Sequence, residues 1–141
     1  MYRIEKVNWG YRLMFGGSCP VEEIGEWLDE SRKILANQEE EFFVFVDMRT
    51  IIPLSREAQV HMQEGQRLYQ RRGMLRSVVI LSSPVVAAQF RRIAGETGIG
   101  QWERYIDAST VPDWEEVGMD WLLKAVDPEE HVHTSKISQA R

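Results

Sequence analysis

One cysteine in 141 residues leaves nothing for an intrachain disulfide, so the fold must be held by packing alone. Long apolar runs are missing as well. The longest, Phe42 to Val46, is five residues against the roughly 20 needed to span a bilayer, which excludes membrane insertion. The segment Met1 to Val7 lacks the apolar block of a signal peptide, and with the lone Cys19 this points to a cytoplasmic protein. A basic block is absent too: 17 Lys+Arg stand against 22 Asp+Glu, a formal net charge of -5. Duplex nucleic acid, which demands many neutralised phosphates, is not the expected partner.

What is present is a chain sized for one hydrophobic core. Two short alternating runs, Tyr2 to Val7 and Tyr11 to Phe15, flank Asn8, Trp9 and Gly10, which predicts a hairpin. Pro20 marks a helix start with Ser18 or Cys19 as cap, and Val21, Ile24, Leu28, Ser31 and Leu35 share one face. Phe42 to Met48 is apolar on both alternations, as a strand covered on both sides requires. Ser55 caps the next predicted helix, with Ala58, Met62, Gly65 and Tyr69 along its apolar stripe. Val78 to Leu81 reads as a buried strand, and Ser83 with Pro84 starts a helix that Gly98 ends. Tyr105 to Asp107 is a short strand, and Asp113 to Glu116 has capping-box spacing before a last helix. The expected fold is α/β, a mixed, mostly parallel central sheet in the order β-β-α-β-α-β-α-β-α, with right-handed crossovers. Residues 1–126 form a single domain, and 127–141 are too polar for a packed element and are expected to be a disordered tail.

The order, together with Val46-Asp47-Met48-Arg49, resembles the STAS fold of anti-sigma-factor antagonists. Pro53-Leu54-Ser55, Glu64-Gly65, Gly73-Met74 and Trp102-Glu103-Arg104-Tyr105 narrow the resemblance to the uncharacterised STAS-like bacterial proteins grouped as SpoIIAA-like, over roughly residues 1 to 126. In the regulatory branch, the third strand ends in Asp-Leu-Ser, and an Asp-Ser-Ser-Gly loop six residues on carries the serine phosphorylated by a partner kinase. Here Asp47 keeps the acidic position, Arg49 stands at the serine-like one, and Ser55 to Ala58 replaces the acceptor loop. The acceptor position falls on Arg56 or Glu57, with Ser55 one residue away, so the resemblance implies a binding module without a recognisable phospho-acceptor serine. It also implies recognition through the loop after Asp47 and the helix from Ser55, while lipid-carrier domains of the same broad fold imply a small-molecule or lipid site instead.

Read for chemistry, Asp47 and Arg49 are the leading pair, because charges at the carboxyl end of a buried strand must be satisfied locally or by a ligand. Topology brings Ser82, Ser83 and Asp107 to the same end of the sheet. The helix starts after Ser55 and Ser83 offer free backbone donors to an anion, and Arg49 adds a bidentate fork. The alternative is an Asp capping a loop with an Arg paired to it. Nucleophilic catalysis has little behind it: the serines are explained by capping, and Cys19 reads as a small core residue unless a helix start depresses its pKa. Phe15 to Ser18 lacks the Lys and Ser/Thr of a phosphate loop, and His131 and His133 lack further ligands for a metal. Neither cofactor nor metal is expected. Arg67, Arg71, Arg72, Arg76, Arg91 and Arg92 form a basic region suited to an acidic partner or an anionic headgroup, or simply to solvation. The expectation is a non-enzymatic module that binds another protein or itself, at Asp47, Arg49, Ser55, Arg56, Ser82, Ser83 and Asp107. A module for a small anionic or lipid ligand is the competing reading.

Overall fold

The computed structural model describes residues 1–129. Strands β1 (Tyr2–Val7) and β2 (Gly10–Phe15) form the hairpin. They are followed by α1 (Val21–Leu35), β3 (Phe42–Asp47), α2 (Arg56–Arg71), β4 (Met74–Leu81), α3 (Pro84–Thr97), β5 (Glu103–Asp107) and α4 (Trp114–Lys124). A single 3-10 turn, Ile99–Gln101, joins α3 to β5. The sheet runs β1-β2-β3-β4-β5, antiparallel only between β1 and β2. The order expected from the sequence is the order observed, with β3 at the centre.

Strands that step steadily across a sheet through crossovers of one hand leave their helices on one face. Accordingly α1, α2 and α3 cover one side, packed on Leu13, Phe15, Val44, Val46 and Val79. The last helix, α4, covers the other side against Phe45, Val78, Ile80 and Ile106. Alternation along β3 therefore sends Val44 and Val46 into one core and Phe45 into the other, which is why this strand is apolar on both sides. Among the described residues no helix packs across the α4 side of the hairpin, and there Arg3, Glu5 and Arg12 take the places apolar residues hold elsewhere.

Two glycines set the packing. Gly10 lies at φ 152°, and a Cβ there would meet the Phe43 carbonyl oxygen at 1.9 Å, so only glycine lets β2 approach β3 at its start. Gly65 lies under the Trp27 indole, where a Cβ would come within 2.2 Å of Cη2. That ring is held in place on two sides, stacking on Tyr69 at 5.8 Å and meeting Phe15 edge-on at 5.2 Å. Across the same seam the Ser31 and Tyr69 hydroxyls are hydrogen-bonded at 2.8 Å. The α1–α2 contact thus has a fixed geometry.

Several local expectations differ in detail. The N-cap of α1 is Pro20, with no side-chain cap, so neither Ser18 nor Cys19 serves that role. Asp113 precedes α4 without a capping hydrogen bond. Strand β4 begins at Met74 and β5 at Glu103, earlier than expected, because polar Arg76, Ser77 and Glu103 hide the strand pattern. Trp27 and Trp121 are buried, Trp9 and Trp114 are half-buried, and Trp102 is exposed. Of the polar tail, Asp127 accepts from Arg104 Nε at 3.1 Å and Pro128 is buried. Residues 130–141, with His131 and His133, lie outside the described residues.

Gly65→Ala is expected to lower stability by about 1–3 kcal/mol, since overpacking against a pinned indole outweighs the ~1 kcal/mol that alanine gains in helix propensity. Chemical denaturation of the variant against the parent chain measures the sign directly.

Candidate functional site

The loop after β3 is built as a rigid bracket. Met48 donates its amide to Ile80 O at 2.9 Å, and Ile51 bridges to Gly17. Leu54 is held at both its backbone groups by Gln89, with N to Oε1 at 3.0 Å and Nε2 to O at 3.1 Å. Gln59 Nε2 adds a second donor to the same carbonyl at 3.1 Å. Met48, Ile51 and Leu54 are buried, so apolar anchors and satisfied backbone groups together fix the path.

Asp47 and Arg49 meet, as their alternation on the strand suggested. Arg49 Nε reaches Asp47 Oδ1 at 3.0 Å and the terminal nitrogen reaches Oδ2 at 2.9 Å, while the Arg49 amide also donates to Oδ1 at 3.1 Å. The guanidinium lies 4.2 Å from the centre of the Trp114 ring. Nearby, Arg12 covers Phe45 at 4.5 Å and pairs with Glu115 at 3.0 Å. Burial pushes the Asp47 carboxyl upward, but the side-chain and backbone hydrogen bonds from Arg49 outweigh it and hold the pKa below its usual value. The fork of Arg49 is thus spent on its own neighbour, and the pair ties the end of β3 to α4.

The other expected residues separate from this pair. Ser55 Oγ accepts from Ala58 N at 3.1 Å and Ser83 Oγ from Val86 N at 3.4 Å, each capping its own helix. Asp107 Oδ1 accepts from the Ser109 amide at 2.9 Å and hydroxyl at 2.6 Å. Ser82 is exposed. Among the described residues no hydrogen bond joins Ser82, Ser83 or Asp107 to Asp47 or Arg49. Arg56 lies on the three-helix side, where an open groove runs between the first turn of α2 and the first half of α3. Arg56, Gln59, Val85, Gln89 and Arg92 line it. Arg92 donates to Gln59 Oε1, and Val85 is 62 % exposed.

A buried cluster escaped the sequence reading. Glu103, 6 % exposed, sits beside Ser77 in the register of β4 and β5. It accepts from Ser77 Oγ at 3.1 Å and Tyr105 OH at 2.5 Å. Burial raises its pKa to about 7 against the lowering effect of those two donors. It borders an internal gap of about 40 Å³ that Trp27, Met62, Gln66 and Met74 also line, on the face of the sheet opposite Asp47. A carboxylate at a strand entrance reads as an edge residue, and only the spacing of Ser77 with Val79 and Leu81 hinted that it faces the core. Cys19 is buried, and burial pushes its thiol pKa up, contrary to the depression a helix start would give. Among the described residues no group of three His, Cys, Asp or Glu is placed to hold a metal, and no helix is long and apolar enough to cross a membrane.

No family model matches the chain. No curated protein matches it either. Among solved structures it is similar to an uncharacterised protein of the DUF3478 family with a SpoIIAA-like fold from Shewanella loihica PV-4. The TM-score is 0.57 at 15 % identity, over 86 % of this chain and 92 % of that one. At that identity the likeness establishes the fold, and the chain has a SpoIIAA-like α/β fold.

Two titrations check the electrostatics. Glu103 binds its proton more tightly folded than unfolded, so stability is expected to fall as pH rises from 4.5 through about 7 and then level off. Glu103→Gln keeps an amide in place of the acid and is expected to flatten that dependence, with stability at pH 8 equal to or above the parent's in urea denaturation. Asp47 has the opposite sign: its contribution is present above the unfolded pKa and lost as pH falls through the lowered folded value. Arg49→Ala is expected to move the Asp47 carboxyl pKa upward in an NMR titration.

Proposed function

We propose that this chain is a non-enzymatic binding module that recognises an acidic protein surface through the start of α2 and the neighbouring turn of α3. The observation that carries the reading is the groove in which Arg56 and Arg92 flank the exposed Val85, on a loop and two helices that are already immobilised. Val60, also exposed, follows Arg56 by one helical turn and widens the apolar part of the surface. An apolar centre rimmed by guanidinium groups is the composition of a recognition patch, and a rigid scaffold limits the entropy lost on binding. The place agrees with the recognition region of the STAS-like proteins that the sequence resembles. Arg56 at the acceptor position leaves no hydroxyl for a phosphate there, so recognition here is constitutive rather than switched.

The non-enzymatic part of the proposal is supported by what the polar groups already do. Asp47 and Arg49 neutralise each other, the hydroxyls of Ser55 and Ser83 cap helices, and the carboxyl with the raised pKa is enclosed in the core. These groups are satisfied internally and none converges with another on a substrate-sized opening.

A photo-crosslinking residue at position 85 is expected to trap a protein partner in cells. Arg56→Glu should weaken that partner's affinity by about 10-fold or more in calorimetry while the melting temperature holds. Unchanged affinity, or the absence of any crosslinked protein, would sink the proposal. A lipid or other small molecule copurifying in native mass spectrometry would favour the competing reading.

A further inference from the structure

The two edges of the sheet are treated differently. Beside β5, Arg104 pairs with Asp127 and Pro128 is buried. Among the described residues nothing pairs with the outer side of β1, a six-residue strand without proline. Such an edge is a template for another strand unless its side chains forbid the pairing.

Which groups face outward follows from the hairpin. The Gly16 amide donates to Met1 O at 2.8 Å, so Met1 and Gly16 are a hydrogen-bonded pair. In the register Arg3↔Met14, Ile4↔Leu13 and Glu5↔Arg12, bonded and non-bonded pairs alternate. Residues 3, 5 and 7 therefore bond inward to β2, and Tyr2, Ile4 and Lys6 present their amides and carbonyls outward.

We infer that β1 pairs antiparallel with β1 of a second copy of this chain, about a two-fold axis at Ile4, to give one continuous ten-stranded sheet. The charges select this arrangement. With Ile4 opposite Ile4, Tyr2 faces Lys6 in two bonded pairs, and Arg3 faces Glu5 in two non-bonded pairs, where side chains come closest. Sliding the register by two residues in one direction sets Arg3 on Arg3; the other direction sets Glu5 on Glu5. Both are like-charge contacts at the axis. Lys6 of one copy, on the same face as Tyr2 of the other, is also delivered to the acidic flank of α1, where Tyr2 OH donates to Glu30 at 2.6 Å. The alternation that would repel an unrelated strand is complementary to its own reverse, as an isologous two-fold contact demands. This contact is independent of the groove at Arg56.

The full chain examined by sedimentation equilibrium is expected to be dimeric. Arg3→Glu sets a carboxylate against Glu5 on both sides of the axis and should raise the dimer dissociation constant about 10-fold or more. The exchange Arg3→Glu with Glu5→Arg recreates both pairs with reversed polarity and should restore the dimer. Circular dichroism melts of the three chains at dilute concentration report whether each is folded. A chain that stays monomeric up to about 1 mM, where an association worth roughly 4 kcal/mol would already be half complete, would overturn the inference. So would a dimer indifferent to Arg3→Glu, or a folded double variant that fails to recover. Because Arg56→Glu leaves β1 untouched, loss of partner binding and loss of the dimer are separable results.

Discussion

Burial of β3 on both faces is the constraint from which the architecture follows. Val44 and Val46 need cover on one side and Phe45 on the other, and a strand that needs both cannot sit at an edge. Three crossover helices supply one layer and α4 the other. Because α4 packs on β3 to β5 and reaches β2 through the Glu115–Arg12 pair, the outer part of that hairpin face is left open, and it carries Arg3 and Glu5. The polar pattern of β1 is thus a consequence of how far one short helix reaches.

The same asymmetry separates the two charged regions at the ends of the strands. Asp47 points toward α4, where Arg49 and Trp114 complete its surroundings, while the chain then crosses the end of the sheet and starts α2 on the other side. A single loop of eight residues, 48–55, therefore links the satisfied Asp47–Arg49 pair on one face to Arg56, at the start of α2, on the other. Its rigidity comes from Gln89 and Gln59, whose amides close on the Leu54 backbone. Side chains that bond a loop backbone in this way act as a substitute for secondary structure.

Glu103 shows the cost of a buried carboxyl and how it is limited. Two hydroxyl donors and a small internal gap replace water only in part, which is why its proton is held near neutrality. The residue lies in the core on the far side of the sheet from Asp47, so the two acids, alike in sequence as charges at strand ends, have pKa values displaced in opposite directions.

Local patterns in the chain were enough for the element order, the central place of β3, the caps at Ser55 and Ser83, the stop at Gly98 and the meeting of Asp47 with Arg49, because each is set by spacing within a few residues. Tertiary structure decided what depends on partners distant in sequence. Strand β4 begins early because Met74 and Arg76 pair with Phe42 and Phe43 of β3, and β5 because Glu103 pairs with Ser77, partners invisible in either segment alone. Gly65 reads as an ordinary stripe position until Trp27, 38 residues earlier, is laid across it. Asp107, Ser82 and Ser83 share an end of the sheet with Asp47, yet each is satisfied or solvated on its own, since sharing an end fixes a neighbourhood and only side-chain direction fixes a contact.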